Sequence, residues 1–290
     1  MPQAARHAPR YVRHEGVAFR EPTTRTSPRA WLMSTYMLLL AAWSVVASLH
    51  AHLWLGVLSA AVFVEFGLAG VRGRQLAGSP VFDEHLATRI ARPLTELCAG
   101  AGCAVPRVSV LSRSTRAAFV RPGRDEAPLL VIAQPLVAAL DDLELRAVLA
   151  HEVSHVAAGD LERARRRRWS FMVGGGVVCG LAALATEGDG IAAPVYVAGV
   201  LVGSMAVAVL LSLRQRPVEV RADAGAARLT GDPEHLVSGL EKTVAHTEAA
   251  RRQVFDGPWR WLLAPLAWRV PSHPALADRA ARIRHLAAAT

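Results

Sequence analysis

The sequence predicts a mostly α membrane protein carrying an α+β domain, with four transmembrane helices and a small β-sheet. Three observations lead there. Long stretches such as Trp31 to Leu49 and Trp169 to Ala185 carry no charged side chain. Between the second and third of these stretches, residues 107–133 contain short runs at strand spacing. Finally, Leu149-Ala150-His151-Glu152-Val153-Ser154-His155 sets two imidazoles four residues apart, on one face of a helix and one turn apart.

Composition narrows the class. The 290 residues are 52% hydrophobic, with a formal charge of +9, a mean hydropathy of +0.26 and a pI near 10.7. A basic balance suits nucleic acid, yet the arginines lie beside apolar runs without the interleaved aromatics of a base-stacking surface, so no nucleic-acid partner is expected. Cys98, Cys103 and Cys179 form neither a CxxC pair nor a regular framework, which argues against a disulfide scaffold.

Along the chain, residues 1–30 read as a disordered basic N-terminal tail: Arg6, Arg10, Arg13, Arg20, Arg25 and Arg29 stand among Pro and Thr with few apolar side chains. Residues 31–71 read as a first transmembrane hairpin, turning at His50-Ala51-His52, with Glu65 the one charge in its second arm. Residues 169–213 read as a second, turning at Thr186 to Gly190. Lys and Arg cluster at the outer ends of both hairpins and are absent from their turns, so both termini and the histidine helix are expected at the cytoplasmic face of the plasma membrane.

Residues 72–168 form the first part of a catalytic domain. A helix is expected over Phe82 to Ala99, ending at Gly100, followed by strands at Arg107 to Leu111, Ala117 to Arg121 and Leu129 to Ala133. The last of these is a candidate sheet edge for holding an extended peptide. Asp141 or Asp142 offers an N-cap for a helix over Leu143 to Ala158, stopped by Gly159, with Leu145, Leu149, Val153 and Val156 as its buried stripe.

The histidine motif supplies two zinc ligands, His151 and His155, and a general base, Glu152. A catalytic zinc centre wants three protein ligands and an open position for water, so one ligand is missing. Residues 214–290, the second part of the domain, supply it: Glu219 and Asp223 lie four apart on an Ala-rich helical segment. One can bind the metal while the other accepts a hydrogen bond from a ligand histidine, and Glu219 is taken as the ligand and Asp223 as its outer support. His155 precedes Trp169 by fourteen residues, about 21 Å of helix, which sets the Zn2+ close to the membrane surface. The chemistry that follows is peptide hydrolysis, with Glu152 taking a proton from water and passing it to the leaving amine.

With these residues in place, the chain resembles the HtpX family of membrane zinc metalloendopeptidases, relatives of the CAAX prenyl proteases. The matching pieces are Glu144 to His155 with Gly159-Asp160, then Glu219-Val220-Arg221-Ala222-Asp223, Thr230-Gly231-Asp232-Pro233, and Ser272-His273-Pro274 with Leu276 and Arg279. They stand in the family's order, and the likeness covers about residues 31–290. It implies a zincin-like catalytic domain interrupted by a transmembrane hairpin, His273 as a transition-state stabiliser, and quality control of unfolded or membrane proteins. One departure stands out. Where the family usually has Asn-Ala-Phe before the active helix, this chain has Ala117-Ala118-Phe119, which removes a side-chain amide that the resemblance assigns to the oxyanion. That departure motivates the alternative of a low-activity or silent zinc-binding membrane scaffold. A sensor-type membrane metalloprotease would call for an extracellular domain that the sequence lacks.

Overall fold

The computed structural model describes residues 10–21, 78–114, 117–122, 127–164, 166, 216–255 and 274–288. All of them belong to one compact unit drawn from residues 1–23, 77–166 and 209–290. The four expected spans, within 31–71 and 169–213, lie outside the described residues. Among the described residues, no helix is long and apolar enough to cross a membrane.

A six-stranded sheet forms the base of the described unit. Its strands are β1 (Tyr11–His14), β2 (Val17–Arg20), β3 (Pro80–Val81), β4 (Arg107–Leu111), β5 (Ala118–Pro122) and β6 (Pro128–Ala133). They run in the order β1-β2-β4-β6-β5, with β3 also paired to β4. β6 runs parallel to β4 along the whole of that strand, so β2 and β3 share its other edge. The side chains of Val108, Leu130 and Ile132 are fully buried.

Residues 10–21 correct part of the expectation of a disordered tail over residues 1–30, whose other residues lie outside the described ones. Tyr11 to Arg20 form a hairpin closed by Glu15 and Gly16, whose φ values of 46° and 81° match the type I′ turn that the strand twist favours. Val17 and Phe19 are buried while Ala18 and Arg20 are half-buried, and Phe19 meets Phe82 edge to face at 6.0 Å. Those two apolar side chains are enough, because the sheet already exists and the hairpin needs to bury only one face.

Helix α1 (Glu84–Ala101) is capped by the Asp83 side chain and closes in a Schellman turn at Gly102, where φ is 64°. The amide of Gly102 reaches the Ala99 carbonyl and that of Cys103 the Cys98 carbonyl. The helix therefore runs past Gly100, because the left-handed residue that stops it is the next glycine. A short helix not anticipated from sequence, α2 (Gln134–Ala139), follows β6 with proline in its first turn.

α3 (Asp142–Ala157) carries the histidines. Asp141 caps it in a full capping box with Glu144. Of the eleven residues from Glu144 to Ser154, all but Arg146 are buried, so the helix has no solvent face in that stretch. Of the expected stripe, Leu145, Leu149 and Val153 are buried and Val156 is only half-buried, and the helix is enclosed on its other sides by α1, by a helix over residues 216–230 (α4), and by α5 (Pro233–Phe255). The last described element, α6 (Leu276–Ala288), packs on α5.

One further expectation is corrected. Leu129 to Ala133 is not a sheet edge, since β6 pairs with β4 on one side and β5 on the other. Its near-continuous apolar run reflects that central position. β5 ends the strand order instead.

Candidate metal centre

α3 and α4 bring together His151, His155 and Glu219, whose candidate ligand atoms all lie within 4.8 Å of one another. Nε2 of His151 is 3.5 Å from one Glu219 oxygen and Nε2 of His155 is 3.9 Å from the other. A tetrahedral zinc ion with ligand bonds near 2.0–2.1 Å separates its donors by about 3.3 Å, so the separations of 3.5 and 3.9 Å between Glu219 and the two imidazoles are somewhat more open than the metal requires. The rings of His151 and His155 stand edge to face, with centroids 4.9 Å apart.

Each imidazole turns its other nitrogen to a carboxylate. Nδ1 of His151 lies 3.1 Å from Asp223 Oδ1, at an angle that misses a hydrogen bond in this arrangement. Nδ1 of His155 pairs with Asp160 Oδ2 at 3.1 Å. A carboxylate only accepts, so Nδ1 of His155 carries the hydrogen and Nε2 is left with its lone pair for a metal.

Asp223 is itself gripped. Arg279, from α6, donates to both of its oxygens at 2.8 and 2.6 Å, and both side chains are buried. Burial pushes the Asp223 carboxyl up, but the hydrogen bonds from Arg279 and the closeness of the His151 ring outweigh it and hold the group below the usual carboxylate range. Burial likewise opposes charge on His151, yet Asp223 and Glu219 together raise it to about 10. Glu152, also buried, is close enough to raise His151 and Arg279 electrostatically.

Glu152, Glu219 and Asp223 thus face a single buried arginine around two imidazoles. Two nitrogens, a carboxylate and an excess of negative charge fit a divalent borderline-soft ion such as zinc. Of the residues singled out in the sequence, His151, Glu152, His155, Glu219 and Asp223 converge here. His273 lies outside the described residues. Asp160 and Arg279 also converge; both stand among the motif pieces that carry the family resemblance, but neither is assigned a role there, since Asp160 only follows the helix-ending Gly159 and Arg279 sits on a helix 56 residues beyond its partner.

A sequence model described as peptidase family M48 matches residues 84–287, well over half of the chain. The chain belongs to peptidase family M48. Among curated relatives of this M48 peptidase, Protease HtpX of Legionella pneumophila (strain Corby) is 27% identical over 227 residues, 71% of this chain and 78% of its own. A Protease HtpX homolog of Janthinobacterium sp. (strain Marseille) is 30% identical over 210 residues, 67% of this chain and 70% of its own. The crystal structure of S. mikatae Ste24p aligns with 88% of this chain and 63% of its own, at 18% identity and a TM-score of 0.44, so the chain spans less than two thirds of that protein. The family match and the HtpX relatives bear out the resemblance drawn from the motifs, and the His151 to Arg279 constellation falls wholly inside the matched M48 region.

Proposed function

We propose that this M48 peptidase is an integral-membrane zinc metalloendopeptidase that hydrolyses peptide bonds of unfolded or membrane-associated proteins at the cytoplasmic face of the plasma membrane. The observation that carries the reading is the donor set of His151, His155 and Glu219 with Glu152 on the same helix turn. Bound there, zinc would acidify water and polarise a peptide carbonyl. Glu152 is the base that takes the water proton and returns it to the leaving amine. Asp160 fixes the His155 tautomer, Asp223 lies against Nδ1 of His151, and Arg279 balances the charge of Asp223. By its likeness to the HtpX motif, His273 supplies the oxyanion donor.

Support for the membrane comes from the uncharged stretches within 31–71 and 169–213 and the arginines beside them. β5, at the end of the strand order and packed near α3, is the strand suited to pair with an extended substrate main chain. Such pairing reads backbone, not side chains, and fits loose sequence preference.

Ala117 motivates a second reading, a zinc-binding membrane scaffold with little or no turnover. Full-length protein purified in detergent separates the two. Zinc-dependent cleavage of unfolded casein that Glu152→Gln abolishes supports the peptidase. Stoichiometric zinc with no cleavage of casein or of the protein itself supports the scaffold.

A further inference from the structure

We propose that Asp160 is the positioning residue for His155, and that Arg163 and Arg221 hold it there as an ionic strap. The inference rests on the zinc reading above and adds to it a support for the second histidine.

The local chain makes the contact possible. α3 stops after Ala157, Gly159 takes a left-handed φ of 67°, and a helical segment restarts at residue 160. That reversal turns Asp160 back toward the helix it has just left. Its two oxygens divide the work. Oδ2 meets Nδ1 of His155 at 3.1 Å, while Oδ1 meets Arg163 at 3.1 Å and Arg221 at 3.0 Å.

The carboxylate is buried, with 8% of its side chain exposed, whereas the arginines are about half exposed, at 46% and 52%. Surface ion pairs contribute little by themselves. A buried carboxylate with charge-assisted partners is different, because a rotated Asp160 would leave its charge poorly satisfied and the His155 ring free to turn.

Arg163 and Arg221 also bracket residues 167–215 in the sequence. Arg221 lies on α4 two residues after Glu219, so the same carboxylate ties the helix that carries the third ligand to the imidazole of the second. The strap therefore ties together two segments that stand 61 residues apart in the sequence, at Asp160 and Arg221.

Full-length protein in detergent tests this with zinc affinity measured against a chromophoric chelator and with the visible spectrum of the cobalt(II)-loaded form. Asp160→Asn is expected to weaken zinc about 10- to 100-fold and to shift the cobalt bands, while the thermal midpoint of chelated protein stays near that of the wild type. The double variant Arg163→Ala/Arg221→Ala should move both readouts in the same direction by a smaller factor, and Arg163→Lys/Arg221→Lys should restore them. The arginine variants keep the test open should Asp160→Asn fail to fold. Wild-type zinc affinity and cobalt bands in Asp160→Asn, or in the double alanine variant, overturn the proposal. A wild type that takes up no zinc sinks the metallopeptidase reading along with it; a zinc-replete but inactive Glu152→Gln leaves that reading standing and isolates the failure at Asp160.

Discussion

Gly225 of α4 faces Ser154 of α3 with no room for a side chain: a Cβ at Gly225 would lie 2.5 Å from Ser154 Oγ and 2.9 Å from its Cβ. The two helices that carry the metal donors therefore cross at a point where only glycine fits. Gly225→Ala is expected to push α4, and Glu219 with it, away from the histidines. Overpacking of this kind typically costs about 1–3 kcal/mol. We expect zinc affinity to drop at least tenfold, measured by chelator competition, and the double variant Gly225→Ala/Ser154→Gly to recover most of it. Unchanged affinity in Gly225→Ala would show that the crossing does not set the ligand spacing.

How much of this arrangement was readable beforehand follows from the range of each interaction. His151, Glu152 and His155, and Glu219 with Asp223, are helix-spaced sets, so a local period reveals them. Strands β4 and β6 are regular apolar runs, and helix α3 is long and capped by residues with clear preferences. The hairpin at Tyr11 to Arg20 was hidden because its stabilising partner, β4, lies almost ninety residues away, and its arginines resemble a solvated tail. The enclosure of α3 was hidden too. Glu144 looks like a capping residue alone, yet it also accepts from Ser238 at 2.5 Å and Lys242 at 2.6 Å on α5, contacts that no sequence period encodes. Arg279 was legible only as part of a family motif; its job of neutralising Asp223 appears once α6 is placed.

The Asp223–Arg279 pair sets an acid limit on stability. Burial raises Asp223, but Arg279 and His151 hold its folded value below the ordinary one. A group depressed in the fold contributes fully above its unfolded value, about 3.9, and loses that contribution as pH falls through the lower folded value. Chelated protein should thus lose stability steeply below about pH 4, read from urea midpoints. Asp223→Asn should be less stable at pH 6 and flatten part of that acid slope. Equal slopes in the two proteins would remove Asp223 from the account. Arg279→Met should be harsher than a surface change, on the order of 3–5 kcal/mol, because it strands a buried carboxylate.

Zinc uptake should expel a proton. In the metal-free fold burial disfavours charge on His151, but Asp223 and Glu219 overcome it and raise the group to about 10. The raised value means that His151 is protonated at neutral pH, and its favourable pairing is fully present below the unfolded value near 6.5 and lost as pH rises toward 10. A metal ligand must be neutral, so zinc binding competes with that proton and tightens as pH rises across the same interval. Calorimetric titration at pH 7 in buffers of different ionisation enthalpy should report close to one proton released per zinc. A heat independent of buffer would count against the raised His151.

Ala117 offers a gain-of-function test. It is buried immediately before β5, and its carbonyl accepts from the Ala133 amide at 2.8 Å, so the backbone at this position is fixed by the sheet. A side-chain amide added there would be carried on a rigid support near the start of the strand suited to hold substrate. If turnover is limited by a missing oxyanion donor, as the likeness to the HtpX motif implies, restoring one should raise kcat with little change in KM, because the interaction forms only as charge develops on the carbonyl oxygen. Loss of one such donor commonly costs about 100- to 1,000-fold in kcat, and a donor restored into a buried site should recover about tenfold or more. The measurement is casein hydrolysis by Ala117→Asn and wild type at matched zinc occupancy, with Ala117→Leu as a control for bulk. A rise in kcat confined to the Asn variant supports a peptidase that works without this donor. An unchanged kcat in a folded, zinc-loaded Ala117→Asn places the oxyanion contact on other residues.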